Sequence, residues 1–211
     1  MAFEKLVGAV ICGVVQFITG AKVKWADHAR KVEQCIYFAN HRSHADIVLL
    51  WAALPPALRY QTRPVAGADY WLTGKLKRYL ADKVFQSVLI DRQKSEGSAN
   101  PVEQMIEALD DGSSLIIFPE GTRNLEEGVK PFKSGLYHLA RAHPEVALVP
   151  VWLENMGRVM PKGAVVPVPL ICTLNFGAVM HLEQNESKEV FLERTRRALL
   201  ELMPVQEDEE K

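Results

Sequence analysis

The feature that most constrains this chain is a series of short apolar runs, each five to seven residues long: CIYFA (35–39), VFQSVLI (84–90), SLIIF (114–118), ALVPVW (147–152) and LICTLNF (170–176). Their length and β-branched content read as strands, several of them buried. A weaker strand signal lies at 62–66 (TRPVA). Helical patterns fill the intervals at 43–53, 70–79, 101–112, 134–142 and 188–203. Pro55-Pro56 stops the first of these, while Pro101 opens and Gly112 follows the third. Strands alternating with helices predict an α/β fold, a single domain whose largely parallel mixed sheet is flanked by helices. We expect that domain over 25–203, after an apolar segment at 1–24 and before an acidic, disordered tail at 204–211.

With 211 residues, 48% hydrophobic and 24% charged, the chain has material for one sizeable core. Its formal net charge of −1 argues against a nucleic-acid binder. That average conceals an asymmetry. Residues 1–92 carry 13 Lys/Arg against 7 Asp/Glu, and residues 93–211 carry 12 against 19. A basic first half suits an anionic partner, either phosphate groups or a lipid surface. Cys12, Cys35 and Cys172 are odd in number and lack zinc spacing, which predicts reduced thiols.

Residues 6–21 read LVGAVICGVVQFITGA, with Lys5 before them and Lys22, Lys24 and Trp25 after. A bilayer-spanning helix needs about 20 apolar residues, so this run is short. Three readings fit: a segment lying in one leaflet, a signal peptide, or a buried core helix. We favour the monotopic segment, on the cytoplasmic face of the inner membrane.

NHRSHADIVLL (40–50) gathers polar residues at the end of the first strand. His41 and Asp46 can face each other across a strand-to-helix turn. The carboxylate would then fix the imidazole tautomer and leave the other ring nitrogen as a base. Ser43-x-x-Asp46 is equally a helix capping box, which needs no chemistry. A metal bound by His41 and His44 lacks further ligands, so no metal is expected. Later stretches shift the balance. SLIIF runs directly into Pro119-Glu120-Gly121-Thr122-Arg123, and VFQSVLI into Asp91-Arg92. Polar loops at strand ends are where α/β sheets hold ligands, and arginine's planar fork suits phosphate.

Taken together, these residues resemble the glycerolipid acyltransferases, the PlsC-like or lysophosphatidic acid acyltransferase family. Asn40 to Asp46 matches its NHxSxxD block and Phe118 to Arg123 its FPEGTR block. Ser87 to Arg92 and Val149-Pro150-Val151 resemble the two remaining blocks, with Ser87 and Leu89 departing from the usual glycine and aromatic. The resemblance runs from about residue 25 to residue 180, on a chain short for the family.

The resemblance implies His41 as general base oriented by Asp46. Arg92, Glu120, Gly121, Thr122 and Arg123 are implied to hold the acceptor's glycerol-phosphate end, with Lys130 and Lys133 as further phosphate contacts, Ser43 as a further substrate-binding candidate, and Pro150 shaping the site or the acyl-donor pocket. The implied donor is acyl-CoA or an acyl carrier protein, the implied acceptor a lysophospholipid, and no cofactor is implied. The implied reaction acylates lysophosphatidic acid to phosphatidic acid. The same chemistry on another lyso-lipid is the nearest alternative. A non-catalytic binder of anionic lipid comes next, and a hydrolase last, since no GxSxG elbow is present.

Overall fold

The computed structural model describes residues 2–27, 29–91, 99–124, 126, 128–159, 168 and 170–204. Helix α1 (Ala2–Thr19) passes through Gly20 into strand β1 (Lys22–Trp25). Then come β2 (Cys35–Ala39), α2 (Asp46–Ala53), α3 (Pro56–Arg59), β3 (Thr62–Gly67), α4 (Ala68–Trp71) and α5 (Lys75–Tyr79). The chain continues through β4 (Val88–Ile90), α6 (Pro101–Asp110), β5 (Ser114–Ile117), α7 (Gly135–Ala142) and β6 (Ala147–Glu154). It closes with α8 (Met156–Val159), β7 (Thr173–Phe176) and α9 (Lys188–Leu200).

The strands form one seven-stranded sheet in the order β1-β7-β6-β2-β5-β3-β4. Every pairing is parallel except β6 with β7. Side chains alternate across the sheet. Cys35, Tyr37 and Ala39 enter one core with Leu50, Trp51 and Val149, while Ile36 and Phe38 enter the other with Leu139, Leu148 and Phe191. Both faces are therefore apolar, which explains why CIYFA shows no polar alternation.

Several expectations change in detail. The helix expected at 43–53 begins at Asp46, after a turn. Pro56 does not merely end it, but opens the short α3. The expected helix at 70–79 breaks at Thr73-Gly74 into α4 and α5. Of VFQSVLI, only Val88–Ile90 pairs as strand. Val84 and Phe85 belong to the preceding helical turn and its core, and Gln86 at φ +49° turns the chain. KVKW, placed with the membrane segment by sequence, is an edge strand paired to β7, so a boundary at residue 24 cuts through β1. Exposed Lys22 and Lys24 suit such an edge.

Helix α1 lies along the domain instead of standing apart. Val7, Ile11, Val15 and Ile18 pack on the core, and Gly8 lets Trp51 approach so closely that a Cβ there would sit 3.1 Å from its ring. Phe3, Leu6, Val10, Val14 and Phe17 face outward, and Phe17 is 90% exposed. An apolar groove of about 450 Å³ runs between α1 and α5, lined by residues such as Phe3, Leu6, Val10 and Leu76.

Candidate active site

Strand β2 occupies the middle of the sheet, and its carboxyl end delivers Asn40 and His41. Asn40 continues the β2–β6 ladder by side chain: its amide N–H donates to the Leu153 carbonyl (2.9 Å), and the Leu153 N–H donates to its oxygen (2.7 Å). The chain then turns, and Asp46 at the start of α2 comes back over it. Asp46 Oδ2 lies 2.9 Å from His41 Nδ1 and also accepts the N–H groups of Arg42 (2.7 Å) and Ser43 (2.8 Å). A carboxylate only accepts, so Nδ1 carries the proton and Nε2 the lone pair. The bond from Ser43 closes the turn before α2, whose N-cap is Ala45 and has no side-chain cap bond, so Ser43-x-x-Asp46 is not the capping box its spacing suggests. One carboxylate thus holds the turn and orients the histidine. The pair is well sheltered, with His41 5% and Asp46 1% exposed.

The neighbouring strand β5 ends beside it and supplies the loop from Phe118 onward. The Phe118 ring stacks on His41 (centroids 4.3 Å apart, 25° between planes). Glu120, 3% exposed, accepts the His41 N–H at Oε1 (2.8 Å) and the Lys130 N–H at Oε2 (2.9 Å). Burial pushes its carboxyl above the ordinary carboxylate range, against the pull of those two N–H bonds. The Asn124 N–H donates to the His41 carbonyl (2.7 Å), and the Asn124 side chain organises the bend to Gly128. Gly121 adopts φ +69°, which favours glycine, and the flexible Lys133 side chain lies over it, where a Cβ would sit 2.6 Å from Cε and push it aside.

The structure brings His41, Ser43, Asp46, Glu120, Gly121 and Lys133 into connected contacts. Glu120, implied as an acceptor ligand, has both oxygens on backbone N–H groups. Thr122 is exposed and Arg123 half-buried on the same loop, and the Arg123 guanidinium makes no hydrogen bond or ion pair among the described residues. Pro150 is a buried position of β6 beside Phe38. Its missing N–H falls where the β6–β7 ladder is interrupted, between the Leu148–Met180 bridge and the Val151–Phe176 pair. Arg92 lies outside the described residues, though β4 ends at the same sheet edge. His44 turns away from His41 and lies flat on Tyr70 (3.7 Å, 8°). Sequence reasoning passed over the positions of Phe118, Asn40 and Asn124. Only the first two stand in recognisable blocks.

A family model described as Acyltransferase matches residues 20–154. The 1-acyl-sn-glycerol-3-phosphate acyltransferase of Limnanthes douglasii is 30% identical over 171 residues, 78% of this chain and 57% of that protein. The enzyme of that name from Haemophilus influenzae is 28% identical over 129 residues, 58% of this chain and 48% of its own. The Escherichia coli one is 31% identical over 134 residues, 60% and 49% respectively. The chain thus spans about half the length of the curated relatives it matches. The crystal structure of the 1-acyl-sn-glycerophosphate (LPA) acyltransferase PlsC from Thermotoga maritima superposes with a TM-score of 0.71 at 20% identity. It covers 94% of this chain and 79% of that one, which establishes a shared fold. Since the family model takes in the first β-strand, the histidine turn and the PEGTR loop, this chain belongs to the Acyltransferase family.

Proposed function

We propose that the chain transfers a fatty acyl group from acyl-CoA or an acyl carrier protein to the free hydroxyl of lysophosphatidic acid, giving phosphatidic acid. The observation that carries this is the buried His41–Asp46 pair, 2.9 Å apart, beside the PEGTR loop. His41 Nε2 takes the acceptor's hydroxyl proton as its oxygen attacks the thioester carbonyl. The resulting tetrahedral carbon expels the thiolate as the C–S bond breaks, and the imidazolium returns the proton to sulfur. The lone pair on Nε2 is what this exchange needs, and the Asp46 carboxylate on Nδ1 leaves it there. Arg123 and Lys133, with the Gly121–Thr122 backbone, offer the acceptor's phosphate two cations at the loop, and Arg92 is proposed to join them. The relatives' printed names support phosphate-bearing acceptors, and another lyso-lipid is the near variant. The outward apolar stripe of α1 supports work at a membrane surface, and we place that surface on the cytoplasmic side.

The test is thiol release from acyl-CoA by purified protein in detergent, with and without lysophosphatidic acid. Release that depends on acceptor, and that drops by about 10²–10⁴-fold or more in His41→Ala, is expected. Equal release without acceptor indicates a thioesterase. No release with CoA, carrier-protein donors or other acceptors, from folded protein that still binds lipid, favours a lipid binder.

A further inference from the structure

We propose that Glu120 is a positioning residue, whose carboxylate sets where His41 stands relative to the phosphate-facing loop. The role rests on the acyl-transfer reading above. The β2–β5 ladder ends at Phe38–Ile117. Beyond it the two backbones diverge, yet the His41 N–H still needs an acceptor because it is buried. Glu120 Oε1 supplies one from the β5 side at 2.8 Å, while on the β6 side the Asn40 side chain bridges to the Leu153 N–H and carbonyl. The end of β2 is thus held between its two neighbours by side chains standing in for peptide groups.

Oε2 does something different. It takes the Lys130 N–H at 2.9 Å, ten residues further on, in the stretch that leads to Lys133. Lys133 is itself anchored by its N–H on the Pro119 carbonyl (2.8 Å), with its side chain across Gly121. One carboxylate therefore ties the base to both ends of the loop that surrounds the cations. Releasing the His41 N–H from Oε1 would leave it buried and unpaired, so the tie is costly to break. The pair of acceptor oxygens is what distinguishes Glu from its isostere. Glu120→Gln keeps the shape and one acceptor, but turns an NH2 toward a second N–H donor.

The experiment compares wild type, His41→Ala and Glu120→Gln, using acyl-CoA and lysophosphatidic acid. It adds ¹⁵N-histidine spectra, in which the His41 resonance is identified by its loss in His41→Ala. Small displacements of a catalytic group cost up to about 10²-fold, so Glu120→Gln is expected to lower kcat by roughly 10–100-fold. The acceptor KM stays within about twofold, and the His41 ring resonance moves, while thermal melting shows folded protein. A raised KM at unchanged kcat makes Glu120 an acceptor ligand and overturns the proposal, as does unchanged kinetics with an unmoved resonance. Should Glu120→Gln not fold, Lys130→Pro against Lys130→Ala isolates the N–H to Oε2. A larger kcat loss in the proline variant supports the tie, and equal losses reject it. If wild type transfers no acyl group, the reading of function fails, and the His41 resonance still reports whether Glu120 positions the ring.

Discussion

Arg123 and Lys133 stand on one loop for different local reasons. Lys133 is steered by its own backbone bond and by the open space over Gly121. Arg123 is half-buried on the turn and has no hydrogen-bond or ion-pair partner among the described residues, which fits the phosphate contact proposed for it. Charge-assisted hydrogen bonds are worth about 1.5–3 kcal/mol, so Arg123→Ala should raise the KM for lysophosphatidic acid roughly 10–100-fold and change kcat little. Steady-state kinetics at varied acceptor concentration checks this. At this scale the sequence was legible where chemistry depends on short spacing, as for His41 and Asp46, five residues apart. The contact of Glu120 with His41 was not legible, although the residue stood in the PEGTR block, and Asn124 was not singled out at all. Their partner His41 lies 79 and 83 residues away in the chain, and only the strand pairing brings them together.

At the level of elements, α1 was recognised as apolar, but sequence gave no way to divide its two faces. Apolar residues stand on every side of it. Those at Val7, Ile11, Val15 and Ile18 meet the core, and those at Phe3, Leu6, Val10, Val14 and Phe17 do not. Loss of a surface side chain usually changes stability by less than about 0.5 kcal/mol. Phe17→Asp should therefore leave thermal melting close to wild type while clearly reducing co-flotation with lipid vesicles. Equal flotation would separate α1 from membrane contact. The misreading of VFQSVLI has a comparable cause. Val84 and Phe85 are apolar because they fill the core beneath α2, which a run of hydrophobic letters does not distinguish from a strand. Lys22–Trp25 was missed because an edge strand needs no apolar pattern of its own.

For the molecule as a whole, sheet class was readable from alternation, and strand order was not, because non-local pairing leaves no local signature. The order matters, since it puts β2 and β5 side by side and their loops at one edge. The charge asymmetry also acts at this scale. Lys5 stands near the start of α1, Lys22 and Lys24 follow its end, and Lys75 and Arg78 lie exposed on α5 across the groove. Binding to vesicles containing anionic lipid should exceed binding to neutral ones, and the difference should shrink as salt rises from about 0.01 to 0.5 M, where screening lengths fall from about 30 Å to a few ångströms. Sedimentation with vesicles at stepped salt measures this.

Only Gly20 and Ala21 separate α1 from β1, and both ends of that link are bonded to Cys172, Thr19 through its carbonyl and Lys22 through its N–H. From β1 an unbroken set of paired strands, β7 and β6, reaches β2 and His41. No joint lies along this route. If a bilayer seats on α1, the distance from that surface to His41 is a fixed dimension of the fold.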